Sequence, residues 1–162
     1  MPDDTGTRWL DAGQQQDWRA LVVGSTLLFD QLDDDLRREF GISLTEYEIL
    51  VRLSESEDRT LRMAAIADAL RHSRSRVTHT VARMEAAGWL RRERCSDDGR
   101  GIQAVMTEAG HDLLVRAAPV HVEGVRRNLV DLCDPEDFRA MGRVMNAAAD
   151  HMVGNWPEID IR

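Results

Sequence analysis

SRSRVTHTVARME, residues 73–85, is the stretch whose reading decides the fold. It holds three arginines, a histidine and four hydroxyls, with valines and a methionine spaced among them. At about 100° per residue, Val77, Val81 and Met84 gather on one side of a helix. Ser75, His79, Ala82 and Ala86 lie opposite, flanked by Arg76, Arg83 and Thr78. A helix buried along one stripe and polar or basic on the other fits a DNA major groove, which is about 12 Å wide. Arg76 and Arg83 are candidates for guanine edges or phosphates. Ser73, Ser75, Thr78 and His79 can donate to phosphates or bases, and Arg74, in the first turn, suits a backbone contact. A merely solvated arginine face is the competing reading of this helix alone.

The charge distribution sharpens the question. The chain carries a formal charge of −8 and contains no lysine. Residues 71–100 hold eight arginines against four acids, a local +4 that leaves −12 on the rest. A cationic patch on an anionic body can still engage a polyanion, because screening limits what the ligand senses to about 8–10 Å.

The neighbouring segments supply a context for the basic helix. Apolar residues from Trp18 to Leu36 recur at helical spacing, predicting a helix of about seven turns over residues 14–40 after a flexible segment 1–13. GIS at 41–43 breaks it, and Ser43 with Glu46 forms a capping box for a second helix through Leu53. SESEDRT (54–60) reads as a polar loop, and Met63–Leu70 as a short third helix. Ser73 is the expected N-cap of the basic helix and Gly88 its C-terminal stop. WLRRER (89–94) and IQAVMT (102–107) read as strands around the hairpin tip CSDDGRG. Thr107 caps a long fifth helix with a bend expected near Pro119, and DPED (134–137) starts a sixth that ends near Val153, before a tail at 154–162. Asp33, Asp34 and Asp35 read as a solvated acidic run. The order is mainly α: a long helix, three short ones, a β-hairpin, then two helices. A short helix, a tight turn and a basic helix followed by a hairpin make a winged helix-turn-helix lobe over residues 44–107. The long amphipathic helices at 14–40 and 108–153 need a partner for their apolar stripes, which predicts a helical dimerisation region. At the hairpin tip, Arg100 can enter a minor groove, and Asp98 can hold its guanidinium.

LTEYEILVRL (44–53), LRMAAIADAL (61–70), SRSRVTHTVARMEAAGWLRRE (73–93), DDGRG (97–101) and AVMTEAG (104–110) together resemble the MarR (multiple antibiotic resistance regulator) family of winged-helix transcription factors. The resemblance spans roughly Trp18 to Val153. It implies a homodimer that binds double-stranded DNA at a pseudo-palindromic operator, usually as a repressor; the acidic start MPDDTGTRW, without an apolar signal region, makes the cytoplasm the expected compartment. By position, the DNA-reading residues it implies are Ser75, Arg76, Thr78, His79 and Arg83, with Asp98 and Arg100 on the wing. The wing departs from the family's usual Asp-Arg-Arg ending, with Gly99 before Arg100 and Gly101 after it. The resemblance also implies release by a small, often phenolic or anionic effector, in a pocket for which Trp18 or Arg19, together with Tyr47 or His111, are the candidate lining residues.

Other chemistries find little support. The hydroperoxide-sensing branch of the family uses a cysteine in the first helix, where this chain has none; Cys95 and Cys133 read as free thiols. The five histidines lack ligand spacing, so neither a metal nor another cofactor is expected. No GxSxG, HExxH, P-loop or dinucleotide-binding glycine pattern occurs, so the chain does not read as an enzyme. No run approaches the ~18 apolar residues of a membrane span. The alternative to a DNA-binding regulator is a winged-helix module that binds a small ligand or protein without specific DNA binding. Changing Arg100 to alanine discriminates here: duplex binding should weaken while the circular dichroism spectrum stays unchanged. Unaltered affinity would remove the wing from the reading of DNA.

Overall fold

The computed structural model describes residues 6–95 and 101–153. Its elements are α1 (Ala12–Phe40), α2 (Leu44–Glu55), β1 (Thr60–Arg62), α3 (Met63–Ala69), α4 (Arg74–Ala86), β2 (Leu90–Arg94), β3 (Ile102–Met106), α5 (Glu108–Asn128) and α6 (Pro135–Val153). The mainly α winged-helix arrangement expected from the sequence is the one observed.

The caps explain most element boundaries. Asp11 accepts from the Gln14 N–H at 2.8 Å, and the Gln14 side chain accepts from the Asp11 N–H at 3.1 Å. This capping box starts α1 at Ala12, slightly before the expected Gln14 and inside the segment read as flexible. Gly41 ends α1 at φ 70°, a left-handed conformation that costs glycine little. Ser43 and Glu46 form the expected capping box of α2. Thr107 caps α5, accepting from the Gly110 N–H at 3.1 Å. Asp134 accepts from the Glu136 N–H at 2.8 Å at the start of α6. The fifth helix runs through Pro119 as one element and stops at Asn128, with a 3-10 turn at Val130–Leu132 before α6.

Two expectations need correcting. The segment read as a loop ends in a strand: β1 pairs antiparallel with β3 (Thr60 opposite Val105, Leu61 opposite Ala104), giving a three-stranded sheet in the order β1-β3-β2. Three residues cannot display a period, and β1 forms because the outer edge of β3 offers unpaired backbone groups. Asp58 and Arg59, both in the left-handed region at φ 51° and 52°, steer the chain into that position. The acidic run is not uniformly solvated either. Asp35 is 3% exposed, accepting from Arg38 Nη2 at 2.6 Å, Gln31 Nε2 at 3.0 Å and Arg127 Nη2 at 3.0 Å. Burial acts to raise its pKa, but the hydrogen bonds from Arg38 and Gln31 prevail and hold it below the ordinary carboxylate value. Asp33 pairs with Arg37 and accepts from the Leu44 N–H at 2.7 Å, so it ties α1 to the start of α2.

The core lies within the lobe formed by α2, α3, α4, the sheet and the start of α5. Ile49, Leu50 and Leu53 of α2 meet Ile66, Val77, Val81, Met84, Leu90 and Ala104 there, all fully buried or nearly so. Beyond this lobe the chain is open. α1 packs on α5 and α2, but its buried residues (Leu32, Asp35, Leu36) all lie in its C-terminal third. Toward its N-terminus Trp18, Val22, Val23, Leu27 and Phe29 stand exposed. α6 packs extensively on no other element of the described chain, and its Met141, Val144, Met145 and Met152 are exposed.

One junction is unusually tight. A Cβ on Gly110 would lie 2.0 Å from the carbonyl oxygen of Trp89, which is backbone and cannot rotate away. A Cβ on Gly124 would meet the movable Leu32 Cδ2 at 2.8 Å. Gly110→Ala should therefore destabilise the fold by about 3 kcal/mol or more, and Gly124→Ala by about 1–2 kcal/mol. Urea unfolding midpoints of the two variants check the ranking.

Candidate nucleic-acid interface

The basic helix α4 follows α3 across a turn in which Arg71 takes φ 54°, and the Arg71 and His72 N–H groups donate to Asp68 and Ala67 carbonyls. Ser73 caps it, accepting from the Arg76 N–H at 3.2 Å. Gly88, at φ 79°, closes it: the Gly88 N–H donates to Glu85 O at 2.9 Å and the Trp89 N–H to Met84 O at 3.0 Å. Val77, Val81 and Met84 are the buried stripe, as the wheel requires, joined by Thr80, whose hydroxyl donates to Arg76 O. Ser73, Arg74, Ser75, Arg76, Thr78, His79 and Arg83 are all exposed. The structure thus brings together every candidate contact residue of the helix on its outer side. Thr78 uses its hydroxyl hydrogen on Arg74 O at 2.8 Å, leaving its lone pairs outward.

The arginines divide into two groups. Arg83 donates from Nε to Glu46 Oε1 at 2.8 Å. Arg92 of β2 makes a threefold contact with Glu85 of α4: its N–H at 2.9 Å, Nε at 2.8 Å and Nη2 at 2.6 Å. These bonds hold the Glu85 carboxyl below its ordinary value. Arg91 pairs with Glu93 across 2.5 Å. Arg74, Arg76 and Arg94 form no ion pair with any described residue and are the cations a polyanion would meet. Sequence reasoning missed this division, since the partners of Arg83 and Arg92 lie 37 and 7 residues away. Asp98 and Arg100 of the expected wing tip lie outside the described residues. The base of the wing is in place, with Leu90 opposite Met106 and Arg94 opposite Ile102. Cys95 is buried beside it, and Cys133 donates weakly to Leu129 O at 3.5 Å.

The lobe and its wing belong to a recognisable lineage. A model described as MarR family matches residues 40–101. AbsC, a MarR family transcriptional regulator from Streptomyces coelicolor, is 43% identical, with 92% of this chain and 100% of that chain covered and a TM-score of 0.86. This chain belongs to the MarR family. It is a transcriptional regulator of that family and not an enzyme. Another MarR family regulator, Sco3205 from Streptomyces coelicolor, was solved in complex with DNA. It is 41% identical over 93% of this chain and 94% of that chain, with a TM-score of 0.88. The HTH-type transcriptional regulator PecS of Dickeya dadantii (strain 3937) is 28% identical over 140 residues, 83% of this chain and 84% of its own length. No helix among the described residues is long and apolar enough to cross a membrane.

A cavity of about 460 Å³ opens between α2, the end of α3 and α5, lined by Tyr47, Glu48, Val51, Arg52, Leu70 and His121 among others. The Tyr47 and His121 rings lie 4.6 Å apart, tilted by 33°. Of the four effector residues expected from the resemblance, only Tyr47 lines this cavity. His121, not His111, faces Tyr47, while Trp18 and Arg19 lie on the exposed N-terminal half of α1. Burial pushes the Tyr47 phenol up, and pushes Glu48 up against the opposing charge of Arg52.

His72 and His121 each keep Nδ1 buried without a hydrogen-bond partner among the described residues. Burial lowers both pKa values, and the Arg76 charge lowers His72 further. A histidine whose folded pKa is depressed binds its proton better in the unfolded chain. Its contribution to stability is therefore complete above the unfolded value of about 6.5 and is lost as pH falls below it. Asp35 and Glu85, also lowered, act only at more acidic pH, below their ordinary carboxylate values. Melting temperature should accordingly drop between about pH 7 and pH 5. His72→Leu combined with His121→Leu should flatten that slope; an unchanged slope would assign the titration to other groups.

Proposed function

We propose that two copies of this chain form a homodimer that reads a pseudo-palindromic operator in double-stranded DNA and acts as a repressor. The observation carrying this reading is the outer face of α4, where Ser75, Arg76, Thr78 and His79 stand exposed above a fully buried Val77, Val81 and Met84 stripe. Ser75, His79 and Arg76, the last without an ion pair among the described residues, are groups able to bond base edges and phosphates, which supports this reading. The DNA complex of Sco3205, 41% identical to this chain, supports the same partner.

The second copy answers the uncovered apolar surface. Trp18, Val22, Phe29, Val122, Val144 and Met152 are each more than 40% exposed and lie on α1, α5 and α6. Large apolar side chains left exposed along three helices support an interaction surface there. A twofold partner covering it would set two α4 helices side by side, to meet half-sites about one helical turn (34 Å) apart. The Tyr47–His121 cavity lies where the winged lobe meets α5, and a small phenolic or anionic effector held there would bias the angle between them and release DNA.

Size-exclusion chromatography with light scattering should return twice the chain mass. The protein should also select a pseudo-palindrome from a random duplex pool. Raising salt from about 50 to 200 mM should weaken that complex by about a thousandfold, the loss associated with roughly six phosphate contacts. A monomer that selects no sequence would instead favour a ligand- or protein-binding module.

A further inference from the structure

Arg83 sits on the DNA-facing helix but spends its Nε–H inward. Its acceptor, Glu46, is 2% exposed and belongs to the first turn of α2, not to the groove-facing surface. Glu46 Oε2 is already engaged, accepting from the Ser43 N–H at 2.7 Å and the Ser43 hydroxyl at 2.9 Å. Oε1 is the remaining oxygen, and Arg83 takes it at 2.8 Å. A buried carboxylate with one oxygen unsatisfied is costly, so Glu46 favours the conformer in which Arg83, its side chain still 55% exposed, donates to it.

The placement around α4 gives this pair a mechanical meaning. With Val77 at zero on the wheel, the buried stripe spans about −20° to 40°, Arg83 falls near −120° and Glu85 near 80°. Arg83 is tied to α2, and Glu85 is tied to Arg92 of β2. The two ion pairs therefore flank the apolar stripe on opposite sides. An apolar stripe alone resists withdrawal from the core but opposes rotation about the helix axis weakly, since burial is non-directional. Directional, charge-assisted bonds on both flanks fix that rotation.

We propose that Arg83 is a positioning residue of the recognition helix: by docking on buried Glu46 it sets the rotation at which Ser75, Arg76 and His79 face the groove. The inference rests on the DNA-binding reading given above. It assigns discrimination between sequences to a residue that touches no base, and leaves phosphate neutralisation on α4 to Arg74 and Arg76.

The test uses the full chain, the duplex that wild-type protein selects from a random pool, and an unrelated duplex of equal length. Arg83→Gln, Glu46→Gln and the double variant are titrated against both over a series of salt concentrations. Positioning predicts that each single change weakens binding to the selected duplex by roughly tenfold, and that the double change is no worse than either. Binding to the unrelated duplex and the salt slope should stay at wild-type values. A direct DNA contact predicts the reverse pattern. Arg83→Gln would then weaken both duplexes and reduce the salt slope by about one, while Glu46→Gln would leave affinity intact or raise it. That pattern overturns the proposal and leaves the DNA-binding reading standing. Should Glu46→Gln fail to fold by circular dichroism, the Arg83→Gln slope and the ratio of its two affinities decide alone. Wild-type protein that selects no duplex overturns both readings together.

Discussion

A carboxylate withdrawn from water must find donors for both its oxygens, and in this chain that demand organises the DNA-facing lobe. Glu46 meets it with Ser43 on one side and Arg83 on the other. The first bond starts α2; the second joins α2 to α4. Asp35 imposes the same demand on the other half of the molecule, where Arg38 and Arg127 converge on it from α1 and α5. Two buried acids, one per half, thus specify which helices lie together, while the apolar core supplies the bulk of the cohesion. Neither acid is placed to do chemistry. Their value is directional, since a hydrophobic stripe tolerates small rotations that a pair of hydrogen-bonded ions does not.

The anionic character of the chain takes on a different meaning once the ion pairs are assigned. Glu46, Glu85 and Glu93 each absorb an arginine of the basic segment. What looks like a dense cationic patch in composition is, among the described residues, a smaller set of guanidinium groups without an ion pair (Arg74, Arg76 and Arg94) on a braced scaffold. Fewer mobile cations lower the sequence-independent attraction to DNA, and this shifts the balance toward contacts that depend on geometry.

Much of this was legible from residues alone, and the reasons are local. Ser43, Ser73, Gly88, Thr107 and Asp134 announce helix ends because capping acts within four residues. The Val77, Val81 and Met84 stripe is readable because burial follows the helical period. The parts that were not legible depend on distant partners. Asp35 looks like one of three solvated acids until Arg127, 92 residues later, is folded against it. Arg83 looks unpaired until Glu46, 37 residues earlier, is placed beside it. β1 is too short to carry a pattern and exists because β3 has a second edge. The contact of His121 with Tyr47 was not legible either, because it depends on how α5 crosses α2, which no spacing encodes.

The junction between the sheet and the long helix is short and doubly bonded. A single residue, Thr107, separates β3 from α5, and its N–H and hydroxyl both donate back to the α4–β2 link, to Trp89 O at 3.1 Å and Gly88 O at 2.7 Å. Gly110 closes any remaining gap against the Trp89 carbonyl. There is no slack here for a spring. α5, the strands and the end of α4 are thus bonded to one another directly, with one residue between β3 and α5. Any rearrangement of α5 against the lobe must therefore break the Thr107 bonds to Gly88 and Trp89 or carry that link along with it.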